Sequence, residues 1–472
     1  MVNHSGKLEA RIESDALGSL KVPTDRYFGA QTMRSSMQYH IGGDEERVPR
    51  SVIQAMGILK KAAAEVNQEY GLDPQISSAI AKAADELING KLYDEGHFPL
   101  HIWQSGSGAQ TNMNVNEVIS NRAIEIMGGQ IGSRDPVHPV IDHVNNLLSP
   151  NDTYPTAIHI AVGTELVHSL KPALIMLRDS LKAKSIEWNK IIETGHTQHT
   201  ENAGPTTLIQ EFSDYAQQLS NSLERLEAVL PRVWQLRLGG SIVGTGHSTR
   251  ESFSEKCIER IAQITSLPFA PNTPTPNFME SLDARDAMVE VHAALNTIAV
   301  SIMKIANGVR FLFLEPHCGL GEVKLPETED GSPSMPGTIN LTYCEVLTMI
   351  CVQVMGNHVA VTIGGSNGHF ELNAFKPLIA SNVLRSIKLL TDGCISFSNN
   401  CLRAIDVNKE RLAKIMSSSL VLASRIGFEE ACQIAATALM NGSTLKEECL
   451  KMGIAETEIN DWIPPDKMLG PH

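Results

Sequence analysis

The chain has 472 residues, 42% hydrophobic and 19% charged, enough for a sizeable core and incompatible with a mostly disordered polymer. With 39 basic against 53 acidic residues the formal charge is −14, which argues against a nucleic-acid or anionic-membrane partner. A small anionic substrate stays possible, because a local pocket of donors can be positive on an acidic protein. All eight cysteines lie in the second half without a C-x-x-C pair, so buried free thiols are expected in preference to disulfides or a metal site.

Residues 1–50 interleave Gly, Pro and charge and read as turns and short strands. The opening MVNHSGKLEARIESDALG has neither a secretory apolar core nor an acid-poor, Arg/Ser-rich import pattern, so a cytosolic location is expected. No run of eighteen apolar residues occurs, so no membrane span is expected. Helical spacing starts at Val52 (Met56, Leu59, Ala62, Ala63, Val66) and resumes from Ile76 to Leu87. Pro and Gly cluster over 128–155, a boundary near residue 148. Between Thr206 and Leu238 apolar residues recur at three and four, with Pro205 at the helix start and Pro231 bending the far end. Similar patterns follow at 283–314, 341–363 and 372–402. Long helices with few strand signals predict a predominantly all-α fold, an elongated bundle. The expected domains are 1–148, a central 149–405 and a small helical 406–472. The stretch LTMICVQVMGNHVAVTIGG is too apolar for a helix with one wet face, so burial against another subunit is expected.

Three polar segments interrupt this pattern. In SGSGAQTNMNVNEV (105–118), Gly106 and Gly108 let backbone N–H groups approach an anion, and Ser107, Thr111 and Asn112 add donors. No Lys follows as in a phosphate loop, and a helix N-terminus rich in caps is the other reading. In TGHTQHTENAGP (194–205), His196 and His199 beside Glu201 and Asn202 suit acid–base work or a structural role; metal-ligand spacing is lacking. LPETEDGSPSMPGTINLTYCEV (325–346) reads as an active-site flap or a plain interhelical crossing.

The order of these segments, with RYFGAQTMRS, GILKKAAAEVNQEYGLDP, NMNVNEVISNRAIE, VMGNHVAVTIGGSNGHFELNAFKP and DKMLGPH, resembles the class II fumarate hydratases of the fumarase/aspartase superfamily, from about Lys7 to His472. The resemblance implies a homotetramer with smaller N- and C-terminal domains and active sites shared between subunits. It also implies reversible hydration of fumarate to L-malate, a step of the tricarboxylic acid cycle, without metal or organic cofactor. A mitochondrial location becomes the alternative to the cytosol.

Carried across by resemblance, Ser332 takes the place of the catalytic serine, His199 of the catalytic histidine and Glu345 of its carboxylate partner. Ser107, Ser149, Asn151 and Asn340 take those of substrate-binding residues. Thr338 stands where the family loop has lysine, Ala109 where it has threonine, and Pro150 where it has serine. Beside the histidine, Gln198 replaces threonine and Thr197 arginine; Leu341 replaces the proline after Asn340. Of the family's second anion site only His138 is kept. Three functions remain open at this point: a fumarate hydratase, an inactive paralogue kept as a structural tetramer, and a related lyase for another unsaturated acid.

Overall fold

The computed structural model describes residues 9–139, 142–188, 192–196, 202–236, 238–239, 250–271, 284–313, 321–324, 342–368, 370, 372–408, 425–441, 443 and 445–462, with the backbone alone for 192–196, 202–209, 435, 439 and 460–462. Strands β1 (Ala10–Asp15) and β2 (Gly18–Pro23) pair antiparallel in a tight hairpin. Gly18, the first residue of β2 after the Ala16–Leu17 turn, has φ +112°, a conformation open to glycine. Helix α1 (Ala30–Gln38) follows, and its first turn is capped from a distance. The buried Glu117 carboxylate accepts from the N–H groups of Gly29 (2.9 Å), Gln31 (3.0 Å) and Thr32 (3.1 Å) and from the Thr32 hydroxyl (2.6 Å). A carboxylate there offsets the positive end of the helix, although burial pushes its pKa above the usual range.

Helices α2 (Arg50–Asn67) and α3 (Pro74–Ile88) form the predicted pair. The Asp73 side chain accepts from the N–H groups of Gln75 and Ile76, and Pro74 occupies the first helical position. Asp73→Ala should lower stability by about 1 kcal/mol, measured as a drop in denaturant midpoint. After the short α4 (Lys91–Asp94) come α5 (Ala109–Ile126) and α6 (Pro150–Glu165), which runs through a π turn at Leu166–Leu170 into α7 (Lys171–Glu187).

The next segment departs from the sequence expectation. Asn202–Thr207 is strand β4, paired antiparallel with β3 (Ile192–His196), so Pro205 lies in a hairpin opposite Thr194. Helix α8 therefore begins only at Leu208 and ends at Val233, with 26 residues and a length of about 39 Å. Thr206 and Thr207 are β-branched and favour extended backbone, and Pro205 is tolerated because both strands of this two-stranded sheet are edge strands.

Strands β5 (Gln235–Leu236) and β6 (Ala270–Pro271) pair parallel around α9 (Phe253–Thr265). The long α10 (Asp286–Phe313), α11 (Thr342–Gly365) and α12 (Lys376–Ser396) match the remaining apolar runs. Strands β7 (Val323–Lys324) and β8 (Asp406–Val407) pair antiparallel, and α13 (Phe428–Asn441), α14 (Leu445–Lys451) and α15 (Glu456–Trp462) close the described chain.

The chain divides into two compact units. One comprises Met1–Pro172, Glu224–Ala299 and Val352–Thr391, and the other Ala173–Leu223, Val300–Cys351 and Asp392–His472. In the first, α2, α3, α5, α6 and α9 pack around Val52, Met56, Leu59, Ile80, Leu87 and Val115. In the second, Trp188 meets Phe212 edge-on at 5.0 Å, and Leu177, Leu181, Ile302 and Val309 are also buried in this unit. Ala431, Ile434, Ala438, Leu445, Cys449 and Ile459 form a separate small cluster there. Among the described residues the cysteines are free, all buried except Cys432.

Helix α11 is apolar yet poorly covered. Val346, Met349, Val352, Val359 and Ile363 are 39%, 63%, 56%, 59% and 56% exposed, at intervals that keep them along one side of the helix. By length and hydropathy alone, Pro150–Glu187, Asp286–Phe313 and Thr342–Gly365 could each cross a bilayer.

Candidate active site

The predicted site segments of the first unit converge at two helix N-termini. Ahead of α5, Gln104 pins the loop: its Oε1 accepts from the Thr111 N–H at 3.1 Å and the Thr111 hydroxyl at 2.8 Å. Gly108 (φ +77°) then lies against the Tyr154 ring of α6, where an added Cβ would stand 2.3 Å from the ring. At Gly106 a Cβ would stand 1.5 Å from the Ala374 carbonyl oxygen. Both glycines are thus required by close approach, a constraint unrelated to phosphate cradling. Ser107 Oγ lies 2.9 Å from Ser105 Oγ and accepts from the Ala109 N–H at 3.3 Å.

Helix α6 starts on a capping box. Ser149 Oγ accepts from the Asn151 N–H at 3.3 Å, and Asp152 Oδ1 accepts from the Ser149 N–H at 3.1 Å. Pro150 occupies N1, where its missing N–H is not needed. The serine-to-proline departure therefore removes a hydroxyl while suiting the helix start. Asp152 Oδ2 also accepts from the Gly239 N–H at 3.1 Å.

Beneath these turns runs a buried polar chain. Lys60 Nζ donates to Asn145 Oδ1 (2.6 Å), which also accepts from Asn112 Nδ2 (3.2 Å), while Asn112 Oδ1 accepts from the Thr153 hydroxyl (3.1 Å). The chain locks the N-terminal turns of α5 and α6 together, fixing Ser107 and Ala109 relative to Ser149, Pro150 and Asn151. Full burial depresses the Lys60 pKa to about 7, and the Asp152 carboxylate partly counteracts this. Lys376, fully buried at the start of α12, is held at about 7 by burial and then by Arg285, with Asp152 again opposing. Ala109 also lines a cavity of about 340 Å³ with Arg34, Gln38, Gln110 and Met113.

The other predicted residues do not join this group. His138 Nδ1 faces the Asp142 carboxylate at 3.7 Å, and its N–H donates to His143 Nδ1 at 2.8 Å. A carboxylate beside it disfavours an anion. In the second unit, Glu345 in the first turn of α11 is exposed and lies 3.6 Å from Arg310 Nη2. Gln198, His199, Ser332, Thr338 and Asn340 lie outside the described residues. Among the described residues no cluster of three or more His, Cys, Asp or Glu side chains is arranged for a metal ion.

Sequence reasoning missed Lys60, Arg285, Lys376 and Asp152. A faint signal existed: Lys60 falls on the apolar face of α2 beside Leu59, and Asp152 stands at the third helical position of S-P-N-D, as capping boxes place an acid.

The chain is similar to known lyases along nearly its whole length. A lyase family matches residues 18–356, and a fumarase C C-terminal family matches residues 421–470. Mitochondrial fumarate hydratase of Rattus norvegicus is 56% identical over 466 residues, covering 98% of this chain and 90% of the relative. The Homo sapiens enzyme of the same name is 55% identical with the same coverages. The crystal structure of a class II fumarase from Schistosoma mansoni superposes with a TM-score of 0.88 at 35% identity, covering 98% of this chain and all of that one. The chain belongs to the fumarate hydratase family of lyases, the class II fumarases.

Proposed function

We propose that this protein adds water reversibly across the double bond of fumarate to give L-malate, the tricarboxylic acid cycle reaction. The observation that carries the reading is the locked pair of helix N-termini, SGSGA and SPND, in a chain that matches fumarate hydratases along nearly its whole length. In the hydration direction, His199 takes a proton from water as the hydroxyl bonds to one carbon of the double bond. Ser332 delivers a proton to the other carbon, so the product is fumarate plus one water. Glu345 fixes the imidazole tautomer and supports its basicity. Ser107, Ser149, Asn151 and Asn340 orient the two carboxylates, with Gln198 beside the base.

Thr338, Ala109 and Pro150 replace a cation and two hydroxyl donors of the family pattern, so substrate is held more weakly than in ordinary relatives. The chain works as a homotetramer with shared sites. Val346, Met349, Val352, Val359 and Ile363 form the α11 face that other copies cover. The partition into 1–148, 149–405 and 406–472 remains our working domain scheme, and His138 marks a second anion position that no longer functions. The mitochondrial names of the animal relatives favour the mitochondrion over the cytosol.

The test is purified protein with L-malate, followed by the rise in fumarate ultraviolet absorbance. Turnover is expected, and His199→Asn should reduce kcat by about 10²- to 10⁴-fold. Absence of turnover in the unmodified protein, recovered in Thr338→Lys, would favour an inactive paralogue instead. Light scattering should give four times the chain mass, and a monomer would contradict the shared-site reading.

A further inference from the structure

Lys376 is placed where a cation is unwelcome. Its side chain is fully buried, and its Nζ has no hydrogen-bond partner among the described residues. It is the first residue of α12, whose first turn has no acidic residue, so the helix end adds positive potential. Arg285, itself buried ahead of α10, adds another cation, and Lys60 of α2 is a third close to the same carboxylate. Among the described residues the acid that opposes the charge of both Lys60 and Lys376 is Asp152 of α6, itself buried. Cys257 of α9 also faces Asp152, and its thiol is pushed up by burial and by that carboxylate, so it contributes no negative charge.

The position is rigid. Asn373, fully buried, donates through Nδ2 to the carbonyls of Gly364 (3.0 Å) and Asn367 (2.5 Å), and its Oδ1 accepts from the Phe375 N–H (2.8 Å). The turn this creates carries Ala374, whose carbonyl touches Gly106 of the Ser105–Gly108 loop. Lys376 is thus anchored between that loop and the carboxylate of the SPND turn.

We propose that Lys376 is a positioning residue for the proposed reaction, its buried positive charge being balanced by a carboxylate of the dicarboxylate bound at the N-terminal turns of α5 and α6. This deepens the fumarate reading and rests on it. Among the described residues Asp152 is the one anion compensating this unpartnered ammonium, and its burial calls for further compensation. A substrate carboxylate at the adjoining helix N-termini supplies it, without direct contact, through the Asp152 and Gly106 segments. In the free protein the group is depressed to about 7 by burial, with Arg285 adding to the effect and Asp152 opposing it. The arriving anion raises that pKa, so binding above neutrality takes up a proton from solvent onto Nζ.

The experiment is isothermal titration with succinate, the saturated four-carbon dicarboxylate, in two buffers of different ionisation enthalpy at pH 6 and at pH 8.5. Wild-type protein is expected to take up protons at pH 8.5 and almost none at pH 6, where Lys376 is already charged. Lys376→Met should bind about 10- to 100-fold more weakly at both pH values, with reduced uptake at pH 8.5. Lys376→Arg should restore affinity with no uptake assigned to this position, because guanidinium stays protonated. The wild-type comparison stands even if a variant fails to fold. Unchanged affinity and uptake in Lys376→Met, absence of uptake in wild type at pH 8.5, or absence of succinate binding would each overturn the proposal. Succinate binding with Lys376-dependent uptake but no malate turnover would keep the anion site and sink the fumarase reading. Turnover with uptake indifferent to Lys376 would do the reverse.

Discussion

Thr338→Lys is expected to raise kcat/KM for fumarate about 10- to 150-fold. By resemblance the family loop has lysine at this position, and a charge-assisted hydrogen bond contributes roughly 1.5–3 kcal/mol. At about 1.4 kcal/mol per factor of ten, that range converts to the stated gain. The chain's formal charge of −14 makes a local cation matter more for a dianionic substrate. If the gain comes through transition-state and ground-state binding alike, KM falls while kcat changes little. Ala109→Thr and Pro150→Ser restore neutral donors and should each give less, and Pro150→Ser also gives up a favourable N1 residue. Steady-state kinetics on Thr338→Lys decides the matter. An unchanged kcat/KM would mean that the loop position no longer meets a carboxylate.

Lys60 gives the second large effect, on stability. Its folded pKa is about 7 against an ordinary value of 10.5, because burial disfavours the ammonium. The unfolded chain therefore binds a proton that the folded protein sheds between those values. Stability rises with pH wherever the unfolded state binds more protons, so the penalty is complete below about pH 7 and is relieved as pH climbs toward 10.5. The full relief is on the order of 5 kcal/mol for a fully buried group. Lys376, depressed by the same physical cause, adds to the slope. Buried Tyr154 and the buried thiols Cys257, Cys351 and Cys394, all raised by burial, work in the opposite direction once unfolded tyrosines ionise near pH 10 and unfolded thiols near pH 8.5, so the window to use is about pH 7–8. Denaturant unfolding across that window should show wild-type stability rising and the slope flattening in Lys60→Met. Equal slopes in the two proteins would mean that Lys60 keeps its proton when folded, stabilised by Asn145 and Asp152.

Much of the fold was legible because long helices announce themselves. Apolar residues at three- and four-residue spacing give α2, α3, α10, α11 and α12 within a few residues of their boundaries, since one face of each must leave water. The start of α8 was misplaced because Pro205 suits a first helical turn and a hairpin strand equally, and local sequence does not reveal the partner strand Ile192–His196. The candidate site is legible in the sequence only as a set of motifs whose residue types resemble those of a family. Ser107, Ala109, Ser149, Pro150 and Asn151 could be named in advance, and the tertiary structure brings their two segments to neighbouring helix ends.

The amino-acid order alone suffices for the helical class, the family and the residue types on offer, including a loop threonine at a position given to lysine by resemblance. These follow from local periodicity and from short motifs whose residues are close together in the chain. The electrostatics beneath the site come from folding. Lys60, Asp152, Arg285 and Lys376 are separated by as much as 316 positions in the numbering, and each alone reads as an ordinary surface charge. Their energies come from burial and mutual distance, and neither quantity exists until the chain has folded.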